Sequence, residues 1–340
     1  MANSIYFSII VPVYNRPEEV KELLESMVHL AYPEDFEIVL VEDGSTVPAK
    51  DIVSNFKDTL QIAYYQKPNT GPGDSRNFGM KKAKGNYYIL LDSDCILPST
   101  YLAEVHRELR DQFVHCFGGP DTAHSSFTPV QKAIDYAMTS FLTTGGIRGK
   151  KRAVGKFQPR SFNMGISKTA FERTGGFGNI HPGEDPDLTF RIWKAGYETR
   201  FFSEAKVYHK RRIDWKKFST QMLKFGMVRP ILNLWHPETA KITYWFPSIF
   251  SLLLVVAVLF ASLGIWIPLV GYLLYFLAIF VEVLWRNKSL VIGGLAIFTV
   301  LIQFFSYGYG FLKSTVLVNF SKLDAEVLFP QLFFKRSEYN

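Results

Sequence analysis

The stretch GNYYILLDSDCILP, Gly85 to Pro98, runs five apolar or aromatic residues straight into two aspartates and then turns apolar again. A buried strand that ends on Asp92-Ser93-Asp94 must accommodate two carboxylates that repel each other and are costly to bury without a partner. A divalent cation is the simplest partner, and strand ends in open α/β sheets are where ligands gather. The alternative is an acidic turn capping a helix near Tyr101, with Asp94 or Ser99 as its cap.

Working outward, apolar runs alternate with helical patterns over the first hundred residues or so. FSIIVPV (Phe7–Val13) reads as a buried strand and PEEVKELLESMVHL as a helix with Pro17 in its first turn. FEIVLVE and LQIAYYQ are further strands, with helices expected over Pro48–Lys57 and Gly73–Lys84. That alternation predicts a parallel sheet covered on both faces. Its carboxyl ends carry YNR (Tyr14–Arg16), EDGS (Glu42–Ser45) and DSD, so polar residues converge on one edge. Further on, VHCFGG and SFNMGIS read as strands, Val130–Leu142 and GEDPDLTFRIWKAG as helices, and Gly145–Arg160 as a mobile, basic lid.

Composition divides the 340 residues. From Phe246 to Trp285 there is no Lys, Arg or Asp, and Glu282 is the only acid. That length is about twice what one helix needs to cross a bilayer, and Gly264 and Pro268 sit where a hairpin would turn. A third apolar run extends from Ser289 to Leu312, as a third span or a re-entrant segment. The boundaries expected are a soluble domain over 1–212, an amphipathic interfacial helix and linker over 213–240, a membrane region over 241–312 and a tail over 313–340. SIYFSIIVPV is too short to span and lacks a basic flank, so the soluble domain is expected in the cytoplasm. Cys95 and Cys116 match no metal-ligand spacing and suit free thiols in a reducing compartment. The net charge of +7 concentrates in KVYHKRRIDWKK (Lys206–Lys217), beside the apolar region, which favours anionic headgroups over nucleic acid. Trp215, Phe218, Met222 and Phe225 recur at helical spacing, suiting a helix that lies apolar side down in the headgroup layer.

Taken singly the motifs are ordinary turns and caps; their order is specific. VPVYNR, VEDGS, GPGDSRNFG, LLDSDC, NMG and GEDPDL, followed by an apolar anchor, resemble family 2 glycosyltransferases over Phe7 to Phe225. The resemblance implies the GT-A fold, a Rossmann-like nucleotide-sugar-binding α/β domain. It also implies inverting transfer of sugar from a nucleotide diphosphate sugar, UDP being the family's usual carrier. It places Pro12, Tyr14, Asn15, Asp43, Arg76, Asp92 and Ser93 on the donor, with Asp43 at the base. Asp94 with Asp92 would hold magnesium or manganese, and Asp185, with Glu184 beside it, would be the catalytic base. His209 closes a strand after the other motifs and is a candidate third metal ligand. Asn163, Gln221 and Lys224 fall on the acceptor side. Processive synthases of the family carry Gln-x-x-Arg-Trp near the membrane; here QMLKF (Gln221–Phe225) matches in part, and the spans are too few for an export channel. The expected protein is thus integral to the bacterial inner membrane, with a lipid-linked or glycan acceptor and membrane lipids as partners.

Overall fold

The computed structural model describes residues 5–122, 127–145, 156–209 and 214–335. They form two compact units, one from residues 5–122, 156–209 and 333–335, the other from 127–145 and 214–332.

In the first unit β1 (Phe7–Val13), β2 (Phe36–Asp43), β3 (Ile62–Lys67) and β4 (Tyr87–Leu91) alternate with α1 (Pro17–Val28), α2 (Lys50–Ser54) and α3 (Pro72–Lys82). There follow β5 (Cys95–Ile96), α4 (Tyr101–Asp111), β6 (Cys116–Gly118) and β7 (Asp121–Thr122). The chain gives α5 (Pro129–Thr139) and α6 (Phe141–Thr144) to the second unit. It returns for β8 (Asn163–Ser167), α7 (Lys168–Thr174), α8 (Glu184–Lys194), β9 (Thr199–Phe201) and β10 (Val207–His209).

A seven-stranded sheet has the order β3-β2-β1-β4-β8-β6-β9, and β5, β10 and β7 make a small second sheet. Strands β1 to β4 pair in parallel, as the alternation predicts. Strand β8 runs antiparallel to β4 and β6, so the sheet is mixed rather than parallel. An antiparallel neighbour needs no crossover helix, and β8 begins at Asn163, opposite Leu91, where β4 ends. Alternate side chains fill two cores. Phe7, Ile9, Val11, Ile38, Leu40 and Ile89 meet α1 and α4 on one face, while Ile10, Val39, Val41, Tyr88 and Leu90 meet α3, α7 and α8 on the other. Burial on both sides is why these strands read as unbroken apolar runs. Strand β1 lies between β2 and β4, the switch point of the sheet, and the carboxyl ends of such strands are where ligands of open α/β sheets bind.

The second unit adds α9 (Trp215–Trp235), α10 (Phe246–Ser262), α11 (Ile267–Asn287), α12 (Leu290–Phe320) and α13 (Ala325–Leu328). Three helices, Ile242–Ser262, Ile267–Asn287 and Leu290–Phe320, are long and apolar enough to cross a membrane. Leu252, Leu253, Leu259, Leu273, Leu274 and Leu277 stand exposed on the first two. Glu282, the one acid of this hairpin, accepts from Tyr136 Oη (2.5 Å) and Ser140 Oγ (3.1 Å) and pairs with Arg286. Helix α12, which contains the third apolar run Ser289–Leu312 from its second residue on, is unbroken over 31 residues, about 47 Å at 1.5 Å per residue. The apolar stripe of α9 also departs from expectation. Phe218 and Met222 are buried against Ile134 and Met138 of α5, with Trp215, Phe225 and Ile302 packed alongside, so protein rather than lipid covers the stripe. Residues 127–145, assigned by sequence to the soluble domain, supply that cover. Of the expected lid, residues 146–155 lie outside the described residues.

Candidate active site

Helix α3 carries Arg76 to the end of β4. The helix lies close on β1 because Gly79 has no side chain: a Cβ there would sit 2.5 Å from Ile10 Cγ2. Arg76 is 3 % exposed, and a guanidinium so buried needs anions around it. Its Nη2 is 2.6 Å from Asp92 Oδ1 and its Nη1 3.8 Å from Glu184 Oε1, while the Phe177 ring lies 5.5 Å away. Across the switch point Arg16, just past β1, places Nη1 2.6 Å from Asp94 Oδ2. Each aspartate of Asp92-Ser93-Asp94 therefore has its own arginine, and the strand end is balanced by the chain itself.

The next residue on α3 ties the site's other wall in place. Asn77 donates to Phe177 O and accepts from Phe177 N–H, both at 2.8 Å, fixing the loop before α8. Helix α8 opens on Glu184, Asp185 and Asp187, acids that suit a helix N-terminus. Their surroundings separate them. Glu184 Oε1 is 2.8 Å from His181 Nδ1; burial alone would raise this carboxyl, but His181 and Arg76 outweigh it and hold it low. Asp187 is gripped by Arg191 at 2.6 and 3.1 Å. Asp185 Oδ1 is buried and has no hydrogen-bond partner among the described residues. Burial and the neighbouring Glu184 charge push the Asp185 carboxyl above its ordinary value, against the pull of Arg76 and Arg160. Two adjacent carboxylates are thus driven apart, one held ionised and one made more basic.

Arg76, Asp92 and Glu184 come together, with the Asp185 carboxyl close enough to act on Arg76. Several other expected site residues have hydrogen-bond partners within the chain. Asp43 is buried; its Oδ1 accepts from Lys67 Nζ (2.6 Å) and Thr70 N–H (3.0 Å), its Oδ2 from Gly71 N–H (3.0 Å). It holds the turn into α3. Asn15 Oδ1 accepts from Thr46 N–H (2.8 Å) and Val47 N–H (2.9 Å), latching the loop after β2 to the end of β1. Asn163 is fully buried; its Oδ1 accepts from Tyr101 Oη and its Nδ2 donates to Ala205 O, both at 2.7 Å. Tyr14 is exposed, Ser93 buried and Pro12 half-buried. Gln221 and Lys224 lie on α9, in the second unit. The backbone of His209 pairs with Cys95, one residue past Asp94, and its side chain is outside what is described. Cys95 and Cys116 are free and buried, as expected. Arg16 and His181 were missed as site residues; Arg16 stood in the YNR run, and His181 lies three residues before Glu184, a spacing that brings side chains together at a helix start.

Residues 8–174 match the profile of Glycosyl transferase family 2. The chain carries a family 2 glycosyltransferase domain. Over 98% of its length it is 24% identical to the probable glycosyltransferase YdaM of Bacillus subtilis (strain 168), covering 87% of that protein. A stretch of 91 residues, 26% of the chain, is 36% identical to the poly(ribitol-phosphate) beta-N-acetylglucosaminyltransferase TarS of Staphylococcus aureus (strain Mu50), of which it covers 16%. Among solved structures, the mannosyltransferase PcManGT of Pyrobaculum calidifontis, in complex with GDP-Man and Mn2+, superimposes with a TM-score of 0.59 at 15% identity, covering 92% of this chain and 88% of that one. TarS 1-349 in complex with UDP-GlcNAc gives a TM-score of 0.50 at 18% identity, with 91% of each chain covered. At those identities the structural likeness concerns the fold.

Proposed function

We propose that the domain transfers a sugar, with inversion, from a nucleotide diphosphate sugar to a membrane-associated, lipid-linked acceptor, with Asp185 as general base. The observation that carries this reading is the division of labour at the start of α8. Glu184 is tied to His181 and Arg76, Asp187 to Arg191, and Asp185 alone of the three has a buried oxygen without a partner among the described residues. A carboxylate that takes the acceptor's hydroxyl proton needs a free lone pair and a raised pKa, and Asp185 has both. As that proton leaves, the hydroxyl attacks the anomeric carbon from the face opposite the diphosphate, so an α-linked donor yields a β-linked product. The cationic side chains of Arg16 and Arg76 lie at the strand ends where the diphosphate would bind, able to exchange a carboxylate for a phosphate oxygen.

The donor set also suits a hard divalent cation. Asp92 and Asp94 offer carboxylate oxygens, and the described residues hold no cluster of three or more His, Cys, Asp and Glu, so a diphosphate would complete the shell. Magnesium or manganese held there would neutralise charge on the leaving diphosphate. PcManGT, bound to GDP-Man and Mn2+, supports a metal; TarS, bound to UDP-GlcNAc, supports a UDP-sugar as the first donor to try. The exposed leucines of α10 and α11 call for an apolar medium, which supports an integral membrane protein. The bacterial inner membrane with the catalytic domain cytoplasmic is the placement favoured by the basic residues before Phe246. Purified protein, incubated with a panel of nucleotide sugars, manganese and membrane lipid extract and read by mass spectrometry, should yield a glycosylated lipid. Donor hydrolysis without any lipid product would remove the acceptor assignment, and no donor consumption would remove the transferase reading.

A further inference from the structure

The chain's last described residues belong to the catalytic unit although the apolar helices precede them. Phe333 bridges Ile180 in antiparallel fashion, Phe334 N–H donates to Asn179 O at 2.9 Å, and Asn179 Nδ2 donates back to Phe334 O at 3.5 Å. These bonds lay a short strap beside the loop that leads into α8. The Phe334 ring then touches two parts of the site. Its centroid is 5.8 Å from the His181 ring, and His181 is the group that holds Glu184. On its other side it fills the space over Gly71, where a Cβ would overlap the ring; Gly71 has φ +95°, caps α3 and donates its N–H to Asp43. Phe334 and Lys335 also wall a cavity of about 340 Å³ behind α3, whose lining includes Gly73, Asn77 and His181 but none of Arg76, Asp92 and Asp94.

We propose that Phe334 is a positioning residue for sugar transfer. The strap holds the start of α3, which aims Arg76, against His181, which aims Glu184, and so keeps the cation and the carboxylate pair in register. No element of the sheet does this, because Gly71 and His181 both lie on loops outside it. The role rests on the transferase reading above.

The test uses the full-length chain in lipid nanodiscs with UDP-GlcNAc, UDP-glucose and GDP-mannose as probes. In the unmodified protein the Phe334 amide should exchange slowly with deuterium, since it is hydrogen-bonded. In F334A, exchange at Gly71 and His181 should quicken and kcat fall by about tenfold to a hundredfold, the scale of a misplaced catalytic group. F334Y, which keeps the ring, should restore turnover, whereas a purely structural role would lower the yield of folded protein and leave its kcat intact. A chain ending at Leu332 should reproduce F334A and serves if that variant does not fold. F334A turning over within about twofold of the unmodified protein would overturn the proposal. So would a Phe334 amide that exchanges like free peptide. If the unmodified protein consumes no donor while its Phe334 amide is protected, the transferase reading fails first and the positioning role falls with it.

Discussion

Asp185 shows how much one residue's surroundings decide. Three acids stand within four positions at the start of α8, and sequence alone names any of them as a base. Asp185→Asn cannot accept the acceptor's proton, so kcat should fall by about 10²–10⁴-fold with donor affinity little changed. The same substitution should raise the melting temperature. A carboxyl whose folded pKa is raised adds stability below its unfolded value of 3.8, and that contribution is lost as pH rises through the folded pKa. At neutral pH the ionised group therefore costs stability that asparagine would not. A melting temperature lowered by the change would show that Asp185 is held by bonds rather than strained. The pH profile follows from the same shift: the acid limb of kcat should lie above the ordinary aspartate range. Glu184→Gln removes a neighbouring negative charge that raises Asp185, so the limb should move to lower pH; movement upward would contradict this coupling.

Among the elements, the strands and helices from β1 to β4 were legible because both sheet faces are buried and the apolar runs are unbroken. Helices α2 and α3 came out shorter than the composition implied, α2 ending at Ser54 and α3 at Lys82. Less legible was which polar residues of an element face the site. Asn163 opens β8 beside the end of β4, where a ligand residue would stand, yet Tyr101, Ala205 and Pro120 occupy its side chain. Asn163→Ala leaves buried groups unpaired and should destabilise the domain by about 1–3 kcal/mol. The KM for acceptor should not change in the protein that remains folded; a selective rise in that KM would return Asn163 to the acceptor side. On α9, periodicity correctly marked Phe218 and Met222 as one face, but periodicity does not say whether lipid or protein covers it.

At the scale of the molecule, the chain leaves the catalytic unit after residue 209 and rejoins it at Phe333. A unit confined to one side of a bilayer receives both ends only if the helices between them cross an even number of times. Of the three candidates, then, two should cross, and the tight hairpin of α10 and α11 is the natural pair. Lys313, Lys322 and Lys335 then stay on the side of the basic residues before Phe246, as cytoplasmic loops prefer. Cysteine placed at Lys335 should react with an impermeant maleimide from the cytoplasmic face, while Cys95 and Cys116 stay buried and silent. Labelling from the opposite face alone would refute this topology. The order of motifs along the chain by itself determined the fold class, the family and the apolar region, because each of these is written in local spacing and in composition. The tertiary structure alone decided that arginines meet Asp92 and Asp94, which partners within the chain Asp43 and Asn163 find, that α5 covers α9 and that Phe334 returns to the site. Those are contacts between residues far apart in sequence, and a buried polar group takes whatever partner the fold brings within reach.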